Sequence, residues 1–450
     1  MSQQKDLQTA PAGNLPGGPA AYDRGQADAG FAAVPVGDAG SFTRPISRPM
    51  RAILMIAVFF CGWSILRVGQ INLTLSDILL SLVMAVMLFR GEINSRPFGN
   101  LTVFWFGGLG LMLLGLLIGT VINGSVDRWL IVGAQYLFAF FLVPMMITGQ
   151  QISLTRSFPA LFVLGIAASQ LIGISASLVF EHADTKDLMG DGFLTGNGRL
   201  GAMTGEPNPN GAMIAFSLPM LLYSVRKGIM PLGIGLLCGL LLIWGLLASG
   251  SFTGFAAALV ALGAYLAVSG LRSLMRISIV AAVALGLFFS SGLSLPSAFE
   301  DRVAGALTTG DLAQAGTYTG RSALIEQAWD MADDNALIGL GVDQFRVVSH
   351  YGAPVHELHL LIWNEGGILA FAGLVTLLLT MGAAAFTAIS RSRAEGAMIL
   401  AVIVVFNVYT LSIPHMYSRV WILPVLLALS TYFARRPTHS PPFGQTVQHR

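Results

Sequence analysis

The sequence predicts an all-α polytopic membrane protein with about twelve transmembrane helices. Hydrophobic residues make up 54% of its 450 residues and charged residues only 11%, whereas a soluble domain carries about 25% charged residues. The mean hydropathy is +0.70, and runs of about 20 apolar residues, enough to cross a bilayer, recur along the chain. This composition excludes an ordinary soluble enzyme and a disordered protein.

The charges that do occur are almost balanced. The chain has 25 basic and 23 acidic residues, a net charge of +2, which does not give the basic surface that nucleic-acid binding requires. Its two cysteines, Cys61 and Cys238, lie inside apolar runs, so we expect neither a disulfide framework nor a cysteine metal site. The expected environment is a lipid bilayer, and no nucleic acid is expected as a partner.

The first element is a tail. Residues 1–49 are rich in Gly, Ala and Pro and contain no apolar run, which predicts a disordered cytoplasmic tail. The first apolar run begins near Met50 and is long enough to span, so it predicts an uncleaved membrane helix and no signal peptide. Residues 50–434 then form the membrane domain, and residues 435–450 a short cytoplasmic tail.

The membrane domain contains twelve candidate spans. With the N-terminus inside, every inner loop carries at least one Arg or Lys, and the short outer loops carry only Arg67, Arg128 and Arg419. The positive-inside rule therefore predicts that both termini are cytoplasmic. The predicted spans are 50–66, 73–89, 101–122, 129–147, 158–180, 210–225, 229–248, 252–270, 275–292, 367–390, 397–413 and 420–434.

Two predicted outer loops are long, namely 181–209 and 293–366, the latter between the ninth and tenth spans. Long loops are uncommon unless they are functional. The positive-inside rule applies to short loops, so it does not explain the arginines in these two. We expect the chemistry of the protein to lie here.

The smaller loop ends in a Gly- and Asn-rich segment, 196–211, that leads directly into a helix. Asn210 is suited to cap that helix, whose free N–H groups would bind an anion. Arg199 offers a forked guanidinium that matches phosphate oxygens. The alternative is an ordinary loop with one arginine that reaches the membrane interface.

The larger loop contains Arg302 and a predicted helix over 319–332, with Arg321 near its start. This helix should lie on the membrane surface as a small cap. Its apolar face comprises Leu324, Ala328 and Met331.

The larger loop closes with a histidine-rich segment. His356, His359, Trp363 and Gly367 have the spacing of one helical face. A histidine at the mouth of a membrane helix can accept a proton near neutral pH, although a lone histidine is more often structural. The H-E-L-H spacing differs from the i, i+4 pair of a zinc-binding helix, so no metal site is predicted.

These motifs resemble a known family. The segment 196–211, and the pattern H-x-x-H-L-x-x-W-x-E-x-G after a large loop, look like the bacterial O-antigen ligase and O-antigen/exopolysaccharide polymerase superfamily. The resemblance covers about 50–434 in topology, and 196–211 and 302–370 in motifs. The family pattern usually reads His-Asn-x-aromatic-Leu, and Glu357 and His359 replace its Asn and aromatic residue. The family's essential histidine corresponds to His356.

The resemblance implies a GT-C-like membrane glycosyltransferase of the bacterial inner membrane. Such a protein takes a glycan from an undecaprenyl-diphosphate carrier at the periplasmic face. Arg199 and Arg321 would neutralise the departing diphosphate, and His356 would accept the proton of the acceptor hydroxyl. No cofactor is expected, because arginine can replace a metal at a leaving group that already carries two phosphates.

The remaining site residues have several candidate roles. Glu365 orients His356 or the acceptor sugar, or caps the helix. Arg302 is a candidate for binding the lipid diphosphate, and His359 and Trp363 for stacking on sugar rings. Arg346 and Arg419 are weaker candidates for the diphosphate.

Three functions compete. A polymerase that joins carrier-linked repeat units is slightly preferred, and a ligase that transfers a finished glycan to a lipid A core uses the same donor. Polysaccharide export or chain-length proteins would be further partners. The third reading is a transporter or flippase for a lipid-linked sugar, which should place ionisable residues near the bilayer midplane; Asp77 is the nearest case.

Overall fold

The computed structural model describes residues 46–68, 73–270, 275, 279, 286, 290–292, 294–310, 318–414 and 416–435. The predicted tails at 1–49 and 435–450 and the predicted span at 275–292 fall largely outside these residues. One short antiparallel hairpin pairs Arg67–Val68 (β1) with Leu73–Thr74 (β2).

All other regular elements of the described chain are helical. Helix α10 is formed by the contiguous segments Ser297–Phe299, Glu300–Ala304 and Gly305–Thr309. The other helices are α1 Arg48–Phe59, α2 Leu75–Arg90, α3 Gly99–Asn123, α4 Val126–Ile147, α5 Ile152–Val179, α6 His182–Met189, α7 Pro207–Arg226, α8 Leu232–Ser249, α9 Phe252–Ser269, α11 Tyr318–Asp334, α12 Phe345–Val348, α13 Leu358–Arg391, α14 Arg393–Thr410 and α15 Arg419–Tyr432.

The prediction of a multi-pass helical membrane protein is confirmed. Among the described residues, seven helices are long and apolar enough to cross a membrane: α3, α4, α5, α8, α9, α13 and α14. Each predicted span inside the described ranges overlaps a helix. Helices α1, α2 and α15 have 12, 16 and 14 residues, fewer than a straight crossing needs, so the count of twelve stays a prediction.

Close backbone packing joins α3 and α13, which form the most extensive helix pair. The contact is lined by small residues, and a Cβ on Gly115 would lie 2.8 Å from the Cβ of Ala370 and 2.7 Å from the carbonyl oxygen of Gly366. Small residues of this kind let membrane helices approach closely. Helix α7 packs against α5, α8, α9 and α14, and 14 of its 20 residues are buried.

Helix α13 begins earlier than predicted. It starts at Leu358, and the predicted start at Gly367 is a break inside it, where the backbone has φ 65° and ψ −169°. The carbonyl groups of Asn364 and Glu365 lose helical partners there and accept hydrogen bonds from the N–H groups of Leu340 and Gly341, at 2.8 and 2.9 Å. The segment 336–343 therefore supplies the hydrogen bonds that the break in the helix would otherwise leave unmade.

The helix predicted over 319–332 is confirmed as α11, and it packs on α13; its position as a cap on the membrane surface stays a prediction. Leu324 and Ala328 are buried, and Met331 is partly buried. They contact a small apolar cluster made of Phe345, Val355, Leu360 and Leu361. This cluster fixes the start of α11 beside the start of α13.

Candidate functional site

Three arginines from separate segments lie within electrostatic range of each other. Arg199 lies in the loop before α7, Arg302 in α10 and Arg321 in the first turn of α11. Burial, together with the charges of Arg302 and Arg321, lowers the pKa of Arg199 to about 10. Burial also lowers the pKa of Arg321, with a smaller contribution from Arg302. The three guanidinium groups stay protonated at neutral pH and form one positively charged cluster, here termed the arginine cluster.

Arg199 is held by the protein on two sides. Its Nε donates to the carbonyl oxygen of Ser249 at 2.9 Å, and its Nη2 donates to Oδ1 of Asn208 at 2.7 Å. Ser249 is the last residue of α8, whose final carbonyls have no partner inside the helix. A cation is also favoured at a helix C-terminus. The guanidinium is thus fixed in place, which does not fit the alternative of an arginine that only reaches the membrane interface.

The turn after α8 also positions Arg302. Gly250 follows α8 with φ 53°, and a Cβ there would lie 2.7 Å from the carbonyl oxygen of Ala298 in α10. Only glycine combines this positive φ with such a close approach. The Ser249–Gly250 turn therefore holds Arg199 with its carbonyl and brings α10, with Arg302, against the end of α8.

His356 lies beside the arginine cluster, two residues before α13 begins. The side chain is half-buried. Burial lowers the pKa of His356, and the positive charge of Arg321 lowers it further. The imidazole is therefore neutral at pH 7 and able to accept a proton.

The prediction that Asn210 caps the helix is wrong. Helix α7 begins at Pro207 with Glu206 in the capping position. Pro207 and Pro209 have no N–H to offer, and the N–H of Asn210 bonds to Glu206, so little of an anion site remains at this helix start. The helix begins three residues earlier than predicted because proline is favoured at the first position of a helix, which Pro207 occupies.

Asn210 instead has a structural task. It is fully buried and exchanges two hydrogen bonds with the side-chain amide of Gln170 in α5, at 2.7 and 3.2 Å. Its Nδ2 also donates to the carbonyl oxygen of Leu200 at 3.0 Å. Asn210 therefore ties the residue after Arg199 to α5 and α7.

The prediction of one helical face at the larger loop's end is also wrong. His356 precedes α13 and Gly367 is non-helical, so only His359 and Trp363 share a helical face. Glu357 caps α13 by accepting hydrogen bonds from the N–H groups of His359 and Leu360, and it also contacts Nδ1 of His359 at 2.6 Å. The spacing of residues in the sequence does not show where a helix begins, and here the capping residue Glu357 sets that point.

Glu365 lies in the second turn of α13, about 10 Å of helix rise from Leu358, and is 3% exposed. The backbone N–H groups of Asp343 and Phe345 lie near its carboxyl group. It borders a cavity of ≈ 10 Å³ that Tyr136 and Tyr417 also line. Its role of orienting His356 or the acceptor sugar stays a prediction.

Trp363 is part of an aromatic row. Its ring lies 6.4 Å from that of Trp329 and 5.0 Å from that of Phe371. Its buried Nε1 has no hydrogen-bond partner among the residues that the structure describes.

Two further arginines are occupied elsewhere. Arg419 is buried and bonds to Asp77, Thr74 and the carbonyl oxygen of Cys61, and Arg346 lies 3.7 Å from a carboxylate oxygen of Asp343. These contacts separate Arg419 and Arg346 from the arginine cluster. The positive-inside rule placed Arg419 in an outer loop, but no sequence signal shows that it pairs with a residue 342 positions away.

Sequence reasoning missed the residues that hold the site together. These are Asn208 and Ser249, which bond to Arg199, and Tyr409 of α14, whose hydroxyl donates to the carbonyl oxygen of Asn208 at 3.3 Å. The Asn-rich segment was a signal for Asn208. A tyrosine inside an apolar run carries no such signal.

The comparison with protein families matches part of this region. Residues 237–375 match the family model described as O-antigen ligase, a segment that runs from α8 into α13 and includes Arg302, Arg321 and His356. No curated protein matches the chain. The match confirms that residues 237–375 of this membrane protein belong to the O-antigen ligase family, within the ligase and polymerase superfamily that the motifs resemble.

Proposed function

We propose that the protein is a membrane glycosyltransferase that transfers or polymerises glycan from an undecaprenyl-diphosphate carrier. It acts at the periplasmic face of the bacterial inner membrane, with both termini in the cytoplasm. The observation that carries the proposal is the arginine cluster beside a neutral His356. The O-antigen ligase family match supports it, because that family implies enzymes of the glycosyl-transfer type.

The arginine cluster is suited to a diphosphate. The neighbouring positive charges lower the pKa of Arg199 and of Arg321, which shows that they repel, and an anion between them relieves that repulsion. When the bond between the sugar C1 and the diphosphate oxygen breaks, negative charge develops on that oxygen. Fixed positive groups in a half-buried site stabilise such charge.

His356 supplies the base. Its neutral imidazole takes the proton of an acceptor hydroxyl while the hydroxyl oxygen attacks C1 and the carrier diphosphate departs. The products are the new glycosidic bond, the carrier diphosphate and an imidazolium ion. Arg321 disfavours the imidazolium, so the proton is released readily to solvent before the next cycle.

Polymerisation of carrier-linked repeat units is our preferred reaction. A ligase that transfers the glycan to a lipid A core is the second candidate, because the matched family model is described as O-antigen ligase. The donor half of the reaction is the same in both. Only the acceptor differs.

A reconstituted transfer assay tests the proposal. Purified protein is incubated with carrier-linked oligosaccharide, with and without lipid A core, and the products are separated by size. Longer carrier-linked chains indicate a polymerase, and glycosylated core indicates a ligase. Arg321→Ala should lower the rate about 10²–10³-fold, whereas the matched control Arg346→Ala, an exposed arginine of the same loop, should keep it. Wild-type transfer by Arg321→Ala would contradict the proposed function.

A further inference from the structure

A second concave site lies on the cap helix α11, with a volume of ≈ 450 Å³. We call it the outer groove. Its walls come from α11 and from the chain around the end of α12. It is lined by Ala323, Glu326, Gln327, Asp330, Met331, Val348, His350 and Tyr351.

The outer groove faces away from the arginine cluster. Arg321 and Asp330 are nine residues apart on one helix, which places them about half a turn out of phase. Arg321 is the α11 residue that lowers the pKa of His356, so its face is the catalytic one. Asp330 and Glu326 line the groove on the opposite face.

The groove contains hydrogen-bonding groups in fixed positions. Oε1 of Gln327 accepts from the hydroxyl of Ser349 at 2.9 Å, and its Nε2 lies 3.3 Å from Nδ1 of His350. The Gln327 amide is therefore oriented before any ligand arrives. Tyr351, 58% exposed, presents a ring with an apolar face and a polar edge.

The chemistry of this lining selects the ligand. Two exposed carboxylates, Glu326 and Asp330, repel a phosphate or a second anion. Carboxylate oxygens accept from donors such as sugar hydroxyls, and an aromatic ring packs against a sugar face. Among the described residues, no group of three or more His, Cys, Asp or Glu side chains is arranged to hold a metal ion. The volume is that of a small-molecule site.

From these observations we infer that the outer groove binds sugar residues of the glycan, apart from the diphosphate end that the arginine cluster holds. This inference rests on the proposed function, since it assigns the groove to the same glycan. The cap helix then separates two binding surfaces. One takes the anionic end of the donor, and the other takes uncharged sugars of the chain.

A binding assay without catalysis tests the groove. The probe is a carrier-free oligosaccharide of a few repeat units, hydrolysed from the surface glycan of the source cell, and its affinity is measured by calorimetry on the purified full-length protein. Glu326→Gln combined with Asp330→Asn should weaken binding about tenfold or more, because each change removes a charged acceptor. Asp333→Asn, an exposed carboxylate of α11 outside the groove, is the matched control and should bind as the wild type does.

The outcomes separate the two proposals. Wild-type affinity in the double variant, or no binding by the unmodified protein, would overturn the groove. Loss of binding in the double variant, with binding retained in His356→Ala, supports it. If the double variant loses binding while Arg321→Ala still transfers glycan, the groove stands and the proposed function fails.

Discussion

Arg419 and Asp77 form a buried ion pair between the starts of α15 and α2. Only 4% of the arginine side chain and 13% of the aspartate side chain are exposed. Arg419 also donates to the hydroxyl of Thr74 and, at 3.1 Å, to the carbonyl oxygen of Cys61. Thr74 and Asp77 cap α2 reciprocally. Loss of either charge therefore leaves the other buried and unpaired.

We expect Arg419→Met or Asp77→Asn to lower the free energy of unfolding by about 3–5 kcal/mol each, the cost of breaking a buried ion pair. The double variant should lose less than the sum, because the second change removes the charge that the first left unpaired. Arg67→Met, an exposed arginine on β1, is the control and should change the free energy by about 0.5 kcal/mol or less. Unfolding by SDS in mixed micelles measures all four proteins.

Two results would refute this reasoning. The first is additive losses in the double variant, since additivity means that the two side chains do not interact. The second comes from glycan transfer at equal amounts of folded protein. Arg419→Met should keep the wild-type KM for the donor, and a selective rise in that KM would place Arg419 in the donor site.

Four further predictions follow from the site. Arg199→Lys should slow transfer about 10- to 100-fold in the reconstituted assay, because a single ammonium cannot keep the two hydrogen bonds that orient the guanidinium. An unchanged rate would contradict the conclusion that these bonds fix Arg199 for the reaction. Because the pKa of His356 is lowered, its neutral form persists as the pH falls, so the acid limb of the pH–rate profile should lie below 6.5, and a limb at or above 6.5 would contradict the assignment. Asn210→Ala should lower the free energy of unfolding by about 1–3 kcal/mol by leaving the amide of Gln170 unpaired, as measured in mixed micelles. Gly367→Ala should lower the free energy of unfolding by at least about 1 kcal/mol in the same assay. The φ of Gly367 is positive, and a Cβ would overlap the carbonyl oxygen of Leu337. An unfolding free energy equal to that of the wild type would contradict the break in α13.

Membrane helices could be predicted because their signal is local. A run of apolar residues is visible in any short window, and each such run in the described chain is a helix. The start of α13 was missed because His359, Asn364 and Glu365 lower the hydropathy of its first turns. The distant segment 336–343 stabilises those turns. A contact between distant segments cannot be predicted from the local sequence.

The scarcity of charge in this chain made it possible to identify Arg199, Arg321 and His356. Arginines in long outer loops are not explained by membrane orientation, and the motif supplied the histidine. Their convergence could not be predicted, since it depends on Ser249, fifty positions after Arg199. The place of Glu365 inside α13 could not be predicted either, because the motif does not show where the helix begins.

The most direct test of the mechanism compares donor binding with transfer in one purified variant, His356→Ala. With the arginine cluster intact, we expect wild-type affinity for the carrier-linked glycan and a transfer rate lowered about 10²–10⁴-fold, the contribution of a general base. Equilibrium binding and single-turnover transfer on the same preparation give both values. Wild-type transfer by His356→Ala would contradict the assignment of His356 as the base. Loss of donor binding would contradict the assignment of donor binding to the arginine cluster and of proton acceptance to His356.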